Sequence, residues 1–286
     1  MGRLPSNAGK ASFFAVVLVA CTAVQAQAGE MSAADQSRLL SAYPDFLSGI
    51  DGNTLVWRDL TQMTLDDGTG TKPIDAWLEN PDIEDMFAVP YPPGDMAGPP
   101  AQDIDPGRAR NSALYDKMYG DCRKGEVEKN LIDVIWLARK KPQHLKVTRV
   151  NGVAQRLAAV SAELDQLPAA FDKYLTPSEG TYSCRVIAGT ARMSAHGQGI
   201  AIDIATKHAH YWRWASPSQS PPASPSIGIP YRNEMPMEIV RIFEKHGFIW
   251  GGKWYHYDTM HFEYRPELLP PKASDGGAGP AAAPQR

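Results

Sequence analysis

Six of the seven histidines of this 286-residue chain lie between His196 and His261. Two stretches in that interval combine side chains that bind cations with side chains that move protons. The first is Ser194-Ala195-His196-Gly197-Gln198-Gly199-Ile200-Ala201-Ile202-Asp203-Ile204. Read as a strand from Gly199 to Ala205, it alternates: Ile200, Ile202 and Ile204 face a core, while Gly199, Ala201 and Asp203 face away from it. An aspartate flanked on its own face by glycine and alanine has the space that an ion and its other ligands need. A surface aspartate on a half-exposed strand gives the same pattern, so this stretch alone does not decide.

The second stretch is Gly251-Gly252-Lys253-Trp254-Tyr255-His256-Tyr257-Asp258-Thr259-Met260-His261-Phe262-Glu263. Strand parity puts His261 and Glu263 on one face, with Phe262 and Tyr264 opposite. Asp258 precedes His261 by three, so the two share a site only where the chain turns or bulges between them. Zinc sites that catalyse hydrolysis take three ligands from His, Asp or Glu and leave a fourth position to water. His196, Asp203 and His261 make such a set for one Zn²⁺ ion, and Asp258 is the carboxylate left to take the water's proton. On spacing alone, a purely structural role for these polar residues is an equal reading.

These residues need elements to hold them. Val127, Leu131, Val134, Ile135 and Ala138 keep helical spacing and stop before Pro142, and Val153, Leu157, Val160, Leu164 and Leu167 form a one-sided apolar stripe ending at Pro168. Short strands are expected at Leu145–Val150, Ser183–Ile187, Gly199–Ala205 and His261–Tyr264. A helix is expected over Pro236–His246, with Pro at its first turn and Gly247 at its end. Ala33–Ala42 reads as a short amphipathic segment. Helices followed by short strands point to an α+β fold with a small mixed or antiparallel sheet flanked by helices.

Composition bounds the rest. With 43% hydrophobic and 21% charged residues, the chain has enough apolar material for one or two domains, and a net charge of −3 gives no electrostatic footprint for nucleic acid. Residues 1–28 read as a signal peptide: Arg3 and Lys10, an apolar run from Ala11 to Val24, then Ala26-Gln27-Ala28. That run is too short for a stable spanning helix, so no transmembrane helix is expected in the mature chain. Leu18-Val19-Ala20-Cys21 also resembles a lipobox, which would anchor the protein through Cys21. Removing residues 1–28 takes away two positive charges and no acids, leaving about −5. After export Cys122 and Cys184 remain, and an even pair in an oxidising compartment reads as a disulfide. Residues 29–110 form a region of unknown role ending in a Pro-rich linker. Residues 111–270 form the domain with the site, and 271–286 a tail with too little apolar surface to order.

Taken together, Ser-x-His-x-x-Gly-x-Ala-x-Asp, Gly-Gly-x-Trp and Asp-x-x-His-Phe-Glu resemble the VanY-type zinc peptidases. These are the D-alanyl-D-alanine carboxypeptidases and L-alanyl-D-glutamate endopeptidases that cut the peptide stems of bacterial peptidoglycan. The likeness covers roughly Tyr182–Leu269. It implies a hedgehog/DD-peptidase-like fold, a peptidoglycan peptide as substrate, a periplasmic or secreted location, His196, Asp203 and His261 as zinc ligands and Asp258 as catalytic base. An Asp rather than a Glu before the last histidine is closer to the endopeptidase branch. The family also uses an arginine upstream of the first histidine to hold the substrate carbonyl: Arg185 best fits that place, and Arg192 is its rival. Ser194, Arg192, Trp254 and His256 are the candidates for contact with substrate. Trp212, Trp214 and Trp250 join Trp254 near the site, although aromatic residues more often simply pack. His208 and His210 read as a solvated pair with no evident partner. A metal-bearing scaffold that binds peptidoglycan without cutting it is the alternative, against which Asp258 argues.

Overall fold

The computed structural model describes residues 31–215 and 228–271. The signal peptide, Cys21, the tail after Pro271 and most of the proline-rich stretch 214–230 lie outside the described residues. Helix α1 (Ala33–Ala42) starts at Ser32, whose hydroxyl accepts the Asp35 N–H at 3.1 Å, satisfying a donor that a helix start leaves open. Three short strands follow, β1 (Leu47–Asp51), β2 (Thr54–Trp57) and β3 (Gln62–Thr64), paired antiparallel in that order. After α2 (Ile74–Glu79) a long loop leads to α3 (Ser112–Tyr119), where Asn111 accepts the Leu114 N–H at 2.9 Å.

The helical spacing over Val127–Ala138 does not produce a helix. A single 3₁₀ turn at Glu128–Asn130 runs into strand β4 (Leu131–Trp136), paired antiparallel with β5 (Gln143–Thr148). Ile132, Val134 and Ile135 are β-branched and favour pleated backbone. Burial follows period two at the end of β4: Val134 and Trp136 are buried, while Ile135 is 51% exposed. The next stripe does form its helix, α4 (Val153–Leu164), burying Val153, Leu157, Val160 and Leu164. A one-turn α5 (Asp172–Leu175) ends this part of the chain.

The site rests on a four-stranded sheet made of β6 (Ser178–Gly180), β7 (Ala201–Ile204), β8 (Phe248–Trp250) and β9 (His261–Tyr264). The strand order is β6-β7-β9-β8, and every pairing is antiparallel. Helix α6 (Met237–Lys245) buries Ile239, Val240 and Phe243 against it, with Phe243 stacked 3.9 Å from Phe262 of β9. Ser183–Ile187, expected as a strand, is irregular: Ser183 to Val186 are exposed, and its pairing comes down to the isolated Val186–Met193 bridge with the Ile187 N–H donating to the Arg192 carbonyl at 2.8 Å and the Ser194 N–H to the Arg185 carbonyl at 3.0 Å. It is also held by the Cys122–Cys184 disulfide and by the Ser183 N–H donating to the His196 carbonyl at 3.1 Å. That disulfide, as expected, closes a separation of 62 residues, a constraint of about 4 kcal/mol on the unfolded chain in the loop-entropy model.

The architecture is thus mixed α+β, with small antiparallel sheets and several helices. A continuous hydrophobic core runs from Leu39, Tyr43 and Leu55 through Val160 and Ile202 to Phe262 and Leu268, so α1 and the first hairpin pack on the same core as the site-bearing sheet.

Candidate active site

His196 lies in a 3₁₀ turn, Ala195–Gln198, opened by Ser194. Gly199 closes the turn at φ +67°, and a Cβ there would meet Leu131 at 2.9 Å, so glycine is what lets the chain pass from His196 into β7. The His196 Nδ1 lies 2.9 Å from the Thr181 carbonyl, which can only accept, so Nδ1 carries the proton and Nε2 a lone pair. That Nε2 is buried without a hydrogen-bond partner, yet it lies 3.2 Å from the Asp203 Oδ2. The two observations agree: both atoms are acceptors, so their proximity makes no hydrogen bond.

The β7–β9 register sets Asp203 opposite His261. The His261 Nδ1 is 3.0 Å from Asp203 Oδ1, and its Nε2 is 3.1 Å from Glu263 Oε2. One ligand atom from each of His196, Asp203 and His261 falls within 4.8 Å of the others. Burial disfavours charge on His261, but hydrogen bonds to Asp203 and Glu263 outweigh it and raise its pKa to about 10. Burial likewise opposes the Asp203 carboxylate, and its close contacts with the imidazoles of His196 and His261 overcome it, holding Asp203 well below the usual carboxylate range. The site therefore demands a positive charge, which a proton or a metal ion supplies. The donor set suits a metal: an orphaned imidazole nitrogen, a carboxylate, and a second imidazole whose far nitrogen is held by an acid.

Behind His261 lies a buried ionic chain. Glu263 accepts from Arg110 Nη1 at 2.5 Å and from Arg265 Nη1 at 3.1 Å, and Arg265 Nε donates to Glu267 at 2.5 Å. Glu267 in turn accepts from Tyr43 at 2.6 Å and Tyr115 at 2.8 Å, which ties the end of α1 and helix α3 to the second histidine.

Asp258 reaches the site because the chain turns where the spacing required it to: the His261 N–H donates to the Asp258 carbonyl at 3.2 Å. Its Oδ1 is buried without a partner. Burial and the charge of Asp203 raise its pKa to about 6, against the pull of His261, His196 and Arg108.

These four side chains line a cavity of about 250 Å³. Arg185, Arg192, Ser194, Trp254 and His256 line it too, so the structure gathers all nine candidate residues. Arg185 is exposed, whereas Arg192 is nearly buried, its Nε 3.2 Å from Glu79. His256 is oriented by Asp105, a fully buried carboxylate 2.7 Å from its Nδ1. His208 and His210 lie outside this lining and share Glu234, each at 3.1 Å, a partner the sequence reading did not find. It also passed over Asp105, Arg108 and Arg110, the last two being cavity residues, because they sit in a loop without periodicity.

The mixed α+β architecture thus places a His/Asp/His group that could hold a metal ion beside a carboxylate oxygen, Asp258 Oδ1, that is buried without a partner. Residues 188–264, which carry His196, Asp203, Asp258 and His261, match the family model for D-alanyl-D-alanine carboxypeptidase, and this bears out the VanY-type resemblance. No curated protein and no solved structure matches the chain.

Proposed function

We propose that the protein is an exported zinc peptidase that hydrolyses stem peptides of peptidoglycan, at the D-Ala–D-Ala or the L-Ala–D-Glu bond. The observation that carries this reading is the orphaned His196 Nε2 facing the Asp203 carboxylate in a cavity that also holds the unpartnered Asp258 Oδ1. His196 Nε2, Asp203 and His261 Nδ1 would hold the ion, which when bound supplies an electrophile for the scissile carbonyl and acidifies water toward a pKa of roughly 7.

Asp258 accepts the proton of the attacking water and returns it to the leaving amine. Its pKa of about 6 without metal keeps it ionised at neutral pH, close enough to the working pH to pass the proton on. Arg185, exposed and with no acidic partner among the described residues, is free to meet the oxyanion that develops at the carbonyl. Glu263 fixes the ring of His261, and Thr181 that of His196. The Cys122–Cys184 disulfide supports an oxidising compartment, in line with export.

Mass spectrometry of purified peptidoglycan fragments, incubated with the mature protein with and without chelator, tests this. Loss of a terminal alanine identifies a carboxypeptidase, and a stem beginning at D-Glu identifies an endopeptidase. Either product should vanish on chelation and return with zinc. No cleavage of any fragment would overturn the reading in favour of a binding scaffold.

A further inference from the structure

The cavity wall beside the candidate metal centre is unusually cationic. Arg108, Arg110, Arg185 and Arg192 all line it. Three of the four are nearly out of solvent: the side chains of Arg108, Arg110 and Arg192 are 13%, 10% and 9% exposed. Each has one acid: Asp105 for Arg108, Glu263 for Arg110, and the half-exposed Glu79 for Arg192. Asp105 also serves His256, and Glu263 also serves His261 and Arg265, so these acids are shared. Burial and the nearby charges of Arg110 and Arg108 lower the pKa of Arg192 to about 10 despite Glu79. Clustered, desolvated like charges are costly unless an anion joins them.

The loop holding two of these arginines is rigidly attached. Trp254 Nε1 donates to the Pro106 carbonyl at 2.8 Å, the His256 N–H to Asp105 Oδ1 at 2.9 Å, and Arg265 to the Gly107 carbonyl at 2.5 Å. Gly107 at φ +77° packs so closely that a Cβ would meet Leu268 at 2.6 Å and Ile249 at 2.7 Å. A guanidinium held in this way meets a carboxylate at little entropic cost.

We propose that Arg108, Arg110 and Arg192 form a subsite for the carboxylate of the substrate residue whose amine departs, so that segment 105–110, outside the matched family region, supplies substrate selection. The proposal rests on the peptidase reading above. Both candidate bonds fit it: a terminal D-Ala leaves with its C-terminal carboxylate, and D-Glu, linked onward through its side chain, leaves with its α-carboxylate. Arg185 remains for the oxyanion.

The test uses the zinc-loaded mature protein and two pairs of synthetic peptides, one ending in D-Ala–D-Ala and one containing L-Ala–D-Glu, each with that carboxylate free or amidated. Cleavage and binding, the latter by calorimetry, are measured for every peptide. The free acid of the cleaved pair should exceed its amide by about 100-fold in kcat/KM, as expected when a buried charge pair loses one member. Arg192→Gln, whose acid partner is half-exposed and tolerates loss of the charge, should shrink that ratio at least tenfold, with circular dichroism and zinc content unchanged. Acid and amide handled within threefold of each other by the wild-type protein would overturn the proposal without any variant. Acid-selective binding with no cleavage would uphold the subsite and overturn the peptidase reading.

Discussion

Two overlapping acidic triads, Asp66/Asp67/Asp82 and Asp82/Glu84/Asp85, crowd as tightly as His196, Asp203 and His261: in each, three ligand atoms fall within 4.8 Å of one another. The difference lies in what fills the middle. In the aspartate cluster the ammonium of Lys72, on a side chain only 6% exposed, stands 2.9 Å from Asp67, 3.2 Å from Asp82 and 2.6 Å from Asp85. Backbone N–H groups complete the pairing, Asp82 donating to Asp85 at 3.0 Å and Asp85 to Asp82 at 2.9 Å. That cluster carries its own cation. At His196, no hydrogen-bond partner among the described residues meets Nε2, which faces the Asp203 carboxylate at 3.2 Å. Closely spaced acids therefore need not call for a metal ion, whereas buried acceptors facing each other still lack a cation partner from the protein.

The largest effect should come from breaking the second region and sparing the first. His196→Ala should abolish both zinc binding and cleavage. Asp258→Ala should lower kcat by 10²- to 10⁴-fold with zinc retained. Asp85→Asn should keep zinc and cleavage together. Metal content by atomic absorption, read beside kcat/KM, separates the three; loss of zinc from the Asp258 variant would make that residue a ligand rather than a base.

Next in size is the lysine. Burial disfavours the Lys72 charge, but Asp85, Asp67 and Asp82 outweigh it and raise its pKa. Lys72→Met leaves those acids without their cation and should cost about 3–5 kcal/mol in urea unfolding, with zinc content intact. A neutral result would mean that the acids find water instead, and the contrast between the two regions would weaken.

How much of this was legible follows from distance along the chain. His196 and Asp203 lie on one short motif and Asp258 and His261 on another, so residue type and strand parity were enough to nominate them. Parity also put Glu263 on the His261 face, where the two prove to be hydrogen-bonded. Arg110 was invisible because its partner lies 153 residues away and no local period marks it. Val127–Ala138 was misread because its apolar positions satisfy two periods, and β-branching together with pairing to β5 decided for the strand. The Leu47–Thr64 sheet has strands of only three to five residues, too short for a periodic signal to emerge.

A smaller change sharpens the comparison at the supporting acid. Glu263→Gln keeps shape and a hydrogen bond to His261 but removes the charge, so zinc affinity should fall 10- to 100-fold by chelator competition. An unchanged affinity would mean that the buried chain from Glu263 to Tyr43 serves packing alone.

The last expectation concerns pH. Without metal, the folded-state pKa of Asp258 is about 6, above its ordinary value of 3.8. The folded state thus binds this proton more tightly than the unfolded chain, so ionising Asp258 destabilises the fold progressively from pH 4 to pH 6 and fully above that. Asp258→Asn should therefore leave metal-free stability unchanged near pH 4 and raise it above pH 6, on the order of 1–2 kcal/mol once partial solvent screening is allowed for. Adding zinc should shrink the gain, because a cation beside Asp258 favours its charged form. Asp85 has its lysine at every pH in this range, so any stability change from Asp85→Asn should not respond to zinc. Thermal melts of both variants at pH 4 and pH 7.5, with zinc and with chelator, check the pair. A zinc-dependent shift in the Asp85 variant, or none in the Asp258 variant, would reverse the assignment of the metal-binding and the lysine-filled cluster.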